Sequence, residues 1–273
     1  MNKSMIAALV AASLTMVSGA QATEEAQTPI DIVKNLTRPE TANVQVVYPN
    51  SCALTVNGNT NPSTTTVYGS GGTSTVETIA AEWGSYKVSV PSSCNAYVMV
   101  GPNKYNLLQF HFHTPSEHAL DGKRYPVEVH FVHAKDGATL GADNCGITAG
   151  ERPLLVVGAF INPGKSGALD AVFTGTGAKT VNLAAMLPSL PQNYFHYDGS
   201  LTAPNTDCAW PEGGKVKQLV TGVFPESVNW YVLGDVKQLS GASVSKLQGF
   251  FPEGNSRALK GVNGRTVYRT GSR

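Results

Sequence analysis

Charge is scarce in this chain: 20 Lys and Arg stand against 19 Asp and Glu in 273 residues, a formal net charge of +1. So small a balance gives no electrostatic footprint for nucleic acid or a strongly acidic partner. Long apolar runs are also missing. Met5 to Val17 is the one candidate, and it is too short to span a bilayer. With Lys3 before it and Ala20-Gln21-Ala22 after it, it reads as a secretory signal, residues 1–22, cleaved after Ala22. That predicts a periplasmic or secreted protein with no membrane attachment after cleavage. Cysteine is limited to Cys52, Cys94, Cys145 and Cys208. None are close together, which argues against a cysteine-based zinc site. In an oxidising compartment they are expected to form disulfides, and four cysteines allow three pairings. The six histidines form no tract of the kind that marks metal-acquisition proteins.

Residues 23–273 suffice for one large domain, and neither a repeat nor a second domain boundary is visible. Gly, Pro, Thr, Ser and Val are plentiful, as in a loop-rich β protein. Strands are predicted over 43–48, 53–56, 86–90 and 96–100. Residues 57–75 read as a loop or irregular hairpin. Leu107–His113 and Val127–His133 alternate most clearly, with a turn signal at Asp121-Gly122 between them. Leu154–Ile161 is continuously apolar and predicts a strand buried on both faces, as does Trp230–Leu233. Thr180–Leu187 is a candidate short helix. The fold class is mainly β, or a large mixed sheet with a few short peripheral helices.

Side chains two apart on a strand share a face. His111 and His113 therefore point the same way, with Gln109 beside them, while Phe110 and Phe112 point to the other side. On the second strand Glu128, His130 and Val132 share a face. If the two strands pair antiparallel, His130 completes a set of three imidazoles. Three neutral imidazoles with a fourth position open suit catalytic Zn²⁺ better than Mg²⁺ or Ca²⁺. Gln109 and Glu128 are the acceptors such histidines need for their second N–H.

QFHFH at 109–113, SEHALDGKRYPVEVHFVH at 116–133 and YFHYDGSLTAP at 194–204 resemble motifs of the α-carbonic anhydrase family. QTPIDI at 27–32, SVNWYVL at 227–233 and NGRTVY at 263–268 resemble others, in the family's order. The resemblance implies one domain over 23–273, built on a large, twisted, mostly antiparallel sheet. It implies Zn²⁺ on His111, His113 and His130, with Gln109 and Glu128 behind them. It implies reversible hydration of CO₂ to bicarbonate and a proton, through a zinc-bound hydroxide. Thr202 would hydrogen-bond that hydroxide and Glu117 would accept from Thr202. Val132, Val156, Leu201 and Trp230 would form the apolar wall for CO₂. The alternative reading is a non-catalytic or zinc-holding exported relative with weak hydratase activity.

The chain departs from the family pattern in several places. Asn59 stands where VNGNT resembles a segment that carries a proton-shuttling histidine. Asparagine cannot exchange a proton near neutral pH, so proton export is expected to be slow and buffer-dependent. His196 and His118 are the candidate substitute shuttles, but His118 looks structural and His196 has no clear claim on the cleft. The usual aromatic amino-terminal segment is short. An insertion around 205–226 is a candidate cover for the site, a surface loop or a dimer contact, which leaves a homodimer open. The resemblance also suggests the pairings Cys52–Cys94 and Cys145–Cys208.

Overall fold

The computed structural model describes residues 26–58, 64–68, 74–78, 84–138, 152–187, 193–203, 224 and 226–271. The signal segment, Asn59, Cys145 and Cys208 lie outside the described residues, as does the 205–226 insertion apart from Phe224 and Glu226.

The first half of the chain forms β1 (Asp31–Ile32), β2 (Arg38–Pro39), β3 (Val44–Val47), β4 (Cys52–Val56), β5 (Thr64–Tyr68) and β6 (Ser74–Thr78). It continues with β7 (Tyr86–Ser89), β8 (Tyr97–Val100), β9 (Asn103–His113), β10 (Ala119–Leu120) and β11 (Val127–Lys135). The second half holds β12 (Leu154–Gly164), β13 (Gly177–Val181), β14 (Tyr194–Gly199), β15 (Val228–Leu233), β16 (Lys237–Ser240) and β17 (Tyr268–Arg269). Helix α1 (Leu183–Met186) is a single turn and α2 (Gly241–Phe250) spans ten residues.

One 11-stranded sheet dominates, in the order β2-β17-β14-β15-β12-β11-β9-β8-β3, with β16 on β12 and β7 on β9. Most pairs are antiparallel; β12–β15, β12–β16 and β17–β2 are parallel. The predicted fold class therefore stands, with a parallel seam at its centre. The 57–75 region contains one arm of a β5–β6 hairpin, whose second arm extends to Thr78. The candidate helix at Thr180–Leu187 is instead the end of β13 followed by α1, which Asn182 caps by accepting from the Ala185 N–H. At the Asp121-Gly122 turn both residues have positive φ, 50° and 77°, as a tight two-residue hairpin turn requires.

Alternation sorts the sheet into two faces. Phe110, Phe112, Val129, Phe131, Leu155, Val157 and Tyr231 enter the larger core on one face. Val156, Phe160, Tyr197, Trp230 and Val232 join Ile30 and Ile32 in a smaller cluster on the other. Leu155 to Ile161 are all buried, as the unbroken apolar run predicts. A bulge interrupts the β9–β11 ladder: Val132 pairs with Gln109 but His133 pairs with Leu107. Leu108 is the extra residue and is left 39% exposed. Cys52 and Cys94 form a disulfide, as expected, and tie β4 to the turn before β8.

His133 sits in the larger core beyond the bulge and is fully buried. Its Nδ1–H donates to the Leu155 carbonyl at 3.0 Å, so Nε2 is bare and accepts from the Tyr48 hydroxyl at 2.7 Å. Burial, which outweighs those carbonyl contacts, lowers this histidine to about pKa 4. The unfolded chain takes up the proton near pH 6.5 and the folded chain does not, so stability falls as pH drops from about 6.5 to about 4. The shift corresponds to about 3 kcal/mol. Urea unfolding of metal-free protein between pH 7 and pH 4 should show a loss about that much larger for wild type than for His133→Gln. Parallel curves for the two proteins would contradict it.

Candidate metal centre

Strands β9 and β11 place the three histidines by register alone. His111 pairs directly with His130, and His113 with Glu128. All three rings lie on the face of the smaller cluster, with centroids 4.6–5.2 Å apart. One nitrogen of each ring is already committed. His111 Nδ1–H donates to Gln109 Oε1 at 2.9 Å, and His113 Nδ1–H to the Asn255 carbonyl at 2.8 Å. His130 Nε2–H donates to Glu128 Oε1 at 2.9 Å. The nitrogens left bare are therefore His111 Nε2, His113 Nε2 and His130 Nδ1. The three rings can present ligand atoms within 4.8 Å of one another. His113 Nε2 is buried with no hydrogen-bond partner, which a coordinated cation would relieve. Three convergent neutral imidazoles, each oriented by a second acceptor, are the donor set zinc takes.

A second cluster, His118, Glu128 and His130, is as tightly grouped but is built differently. His118 Nδ1 meets Glu128 Oε1 at 2.7 Å and Nε2 meets the Tyr197 hydroxyl at 2.6 Å. Glu128 Oε2 accepts the His118 backbone N–H at 2.9 Å. With both His118 nitrogens engaged, this cluster is a hydrogen-bonded brace behind His130. His196 lies on the opposite face of the sheet, 2.6 Å from Glu40 and stacked on Tyr231 at 4.4 Å.

The electrostatics follow from burial and from neighbours. Burial pushes His111 well below the usual histidine range and His113 below it, and the adjacent imidazoles add to both shifts. Burial alone would raise Glu128, but His118 and His130 outweigh it and hold the carboxyl well below its ordinary value. His130 is also pressed down by burial, yet Glu128 and Glu117 prevail and raise it. A proton therefore competes with a metal for His130 Nδ1 as pH falls.

Glu117 is buried beside the triad. Its Oε1 accepts the Arg257 backbone N–H at 2.9 Å. Its Oε2 lies 3.5 Å from His113 Nε2 and 3.8 Å from His130 Nδ1, and makes no hydrogen bond. Thr202 is buried at 6% exposure. Among the described residues no hydrogen bond joins Thr202 to Glu117, so the expected contact is not made in this structure. Three of the residues expected to form an apolar wall lie together: Val132 pairs with Val156 and Val156 with Trp230, in one row across β11, β12 and β15. The Trp230 ring stands edge-on to His130 at 4.9 Å, and its Nε1–H donates to the Ser200 carbonyl at 3.0 Å. Leu201 packs on the same cluster, partly exposed.

Sequence reading missed Asn255, Arg257 and Tyr197, which serve the site through backbone groups, a hydroxyl and, for Arg257, its guanidinium. It also missed Gly158, which pairs with His130 and whose added Cβ would fall 2.9 Å from Glu128 Oε1.

A model of the eukaryotic-type carbonic anhydrase family matches residues 16–209. The carbonic anhydrase of Nostoc sp. is 31% identical over 183 residues, 66% of this chain and 60% of that protein. That of Pectobacterium carotovorum is 27% identical over 183 residues, 67% of this chain and 65% of its own length. The chain thus spans a little under two thirds of these curated relatives. Among solved structures, the α-carbonic anhydrase of Thermovibrio ammonificans in complex with sulfanilamide aligns with TM-score 0.62 and 25% identity, covering 89% of this chain and 87% of that one. Dioscorin complexed with ascorbate shares the fold at TM-score 0.61 and 19% identity. Given the matched family model and a triad built on its motifs, this chain belongs to the eukaryotic-type, or α, carbonic anhydrase family.

Proposed function

We propose that this chain is an exported zinc enzyme that converts CO₂ and water to bicarbonate and a proton, and back. One observation carries the reading: each of three clustered imidazoles has one nitrogen satisfied by the protein and the other left bare toward its neighbours. Zinc, which His111, His113 and His130 would hold, would supply the positive charge that lets water ionise near pH 7, a magnitude for which carbonic anhydrase is itself the standard example.

The remaining work belongs to the chain. Gln109, the Asn255 carbonyl and Glu128 fix the three rings before any metal arrives. We assign Thr202 and Glu117 to orientation. A hydroxyl that gives its proton to a carboxylate can only accept from water, which aims the attacking lone pair. Val132, Val156, Leu201 and Trp230 offer CO₂, an apolar molecule, a surface that water does not compete for. With Asn59 in the shuttle position, the proton leaves to buffer. The Cys52–Cys94 disulfide is compatible with the periplasmic or secreted location.

A zinc-holding relative with weak hydratase activity is the second reading, favoured by the unmade Thr202–Glu117 hydrogen bond. Stopped-flow CO₂ hydration, with and without a chelator and in strong and dilute buffer, separates the two. The enzyme reading expects chelator-sensitive hydration that rises with buffer concentration. Zinc-loaded protein that leaves CO₂ untouched would rule it out.

A further inference from the structure

Arg257 is buried at 6% exposure and joins parts of the chain that lie far apart in sequence. Its backbone N–H holds Glu117 Oε1 at 2.9 Å, which turns the other carboxylate oxygen toward His113 and His130. Its guanidinium donates through Nη1 to the carbonyls of Thr28 and Leu201, the latter at 3.2 Å, and through Nη2 to Gln27 Oε1 at 2.9 Å. Leu201 immediately precedes Thr202. Two residues upstream, the Asn255 carbonyl orients His113. The short segment 255–257 therefore sets a metal ligand, the adjacent carboxylate and the loop that carries Thr202.

A second contact brings in the long connection after Thr202. Phe224, fully buried near the end of that connection, lies under the Arg257 guanidinium at 4.0 Å. Gln27 holds its backbone from both sides: Gln27 Nε2 donates to the Phe224 carbonyl at 2.9 Å and Gln27 Oε1 accepts its N–H at 2.8 Å. The planar guanidinium satisfies several carbonyls at once while its face rests on the ring, a fit that lysine cannot reproduce.

We infer that Arg257, seated on Phe224, is a positioning residue for the hydration reaction, holding Glu117 and the Leu201–Thr202 backbone in fixed relation to the three histidines. This rests on the carbonic anhydrase reading, so the test includes a readout that needs no turnover. Arg257→Lys and Phe224→Leu are loaded with Co²⁺, and the visible spectrum is titrated with pH. CO₂ hydration is measured in parallel on the zinc forms.

Outer residues that orient a metal site typically contribute about 10- to 100-fold. Arg257→Lys should keep its metal, move the spectral midpoint up by about half a pH unit and, in buffer strong enough that proton export does not limit turnover, lower kcat about tenfold with KM little changed. Phe224→Leu should shift both in the same direction by a smaller factor, about threefold in kcat. It serves as the test if Arg257→Lys does not fold. Metal-loaded variants with an unmoved midpoint and unchanged kcat would overturn the inference. So would loss of metal and fold together in both variants, which would make Arg257 a purely structural residue. A wild-type protein that does not hydrate CO₂ would defeat the functional reading, while the cobalt midpoints would still decide the role of Arg257.

Discussion

Alanine at His111, His113 or His130 is expected to lower zinc affinity at least about 100-fold and to bring CO₂ hydration down to the uncatalysed background. Four-ligand structural zinc sites are worth about 10–16 kcal/mol, so one ligand represents about 3 kcal/mol or more. Here the two remaining imidazoles would keep their acceptors and their register, so the loss isolates coordination from folding. His196→Ala is the control. It lies across the sheet against Glu40 and Tyr231, and should retain full zinc and full activity. Metal content after dialysis against a weak chelator, measured beside stopped-flow hydration, checks both outcomes. A triad variant that keeps stoichiometric zinc would mean that the metal is held elsewhere.

Gly158→Ala should damage the site without replacing a candidate ligand. Gly158 pairs with His130 across β11 and β12, and its missing side chain makes room for Glu128. A Cβ there would stand 2.9 Å from Glu128 Oε1 and 3.7 Å from His130 Cδ2. Glu128 has nowhere to retreat: it is fully buried, and both oxygens are held, by His118 at 2.7 and 2.9 Å and by His130 at 2.9 Å. Crowding of this kind typically costs about 1–3 kcal/mol of stability. Displacing the acceptor behind a ligating histidine should weaken zinc by about 10- to 100-fold. Chelator competition and urea unfolding of the variant test the two effects separately. Zinc affinity equal to wild type would show that the carboxylate does not orient His130.

The candidate ligand set was legible because strand alternation is a strong local rule. His111, His113 and His130 follow from the two-residue period plus one antiparallel pairing, and Gln109 and Glu128 follow with them. The buried strand at Leu154–Ile161 was legible for a different reason, its unbroken apolar run. What escaped lies in contacts that period and motif do not encode. Helix α2 buries only Ser243, Val244 and Leu247, too weak an apolar stripe to declare itself, and its start is fixed by Ser240 and by distant Asp170. Asn255 orients His113 through a backbone carbonyl, which any residue possesses. Arg257 acts through 229 residues of separation from Thr28 and 56 from Leu201. Gly158 contributes an absence of atoms. For Thr202 and Glu117, motif order supplied the assignment, while the structure buries both without joining them.

The extra residue at Leu108 isolates the aim of the candidate metal ligands from the outer end of their strand. Because side chains alternate, a one-residue slip in β9 would carry Gln109, His111 and His113 to the opposite side of the sheet and put Phe110 and Phe112 in their place. The irregularity between Val132 and His133 takes up the offset before it reaches Gln109. A change of register at the hairpin end formed by β8 and the start of β9 would thus be discharged at an already exposed leucine while the three imidazoles stay trained on one point.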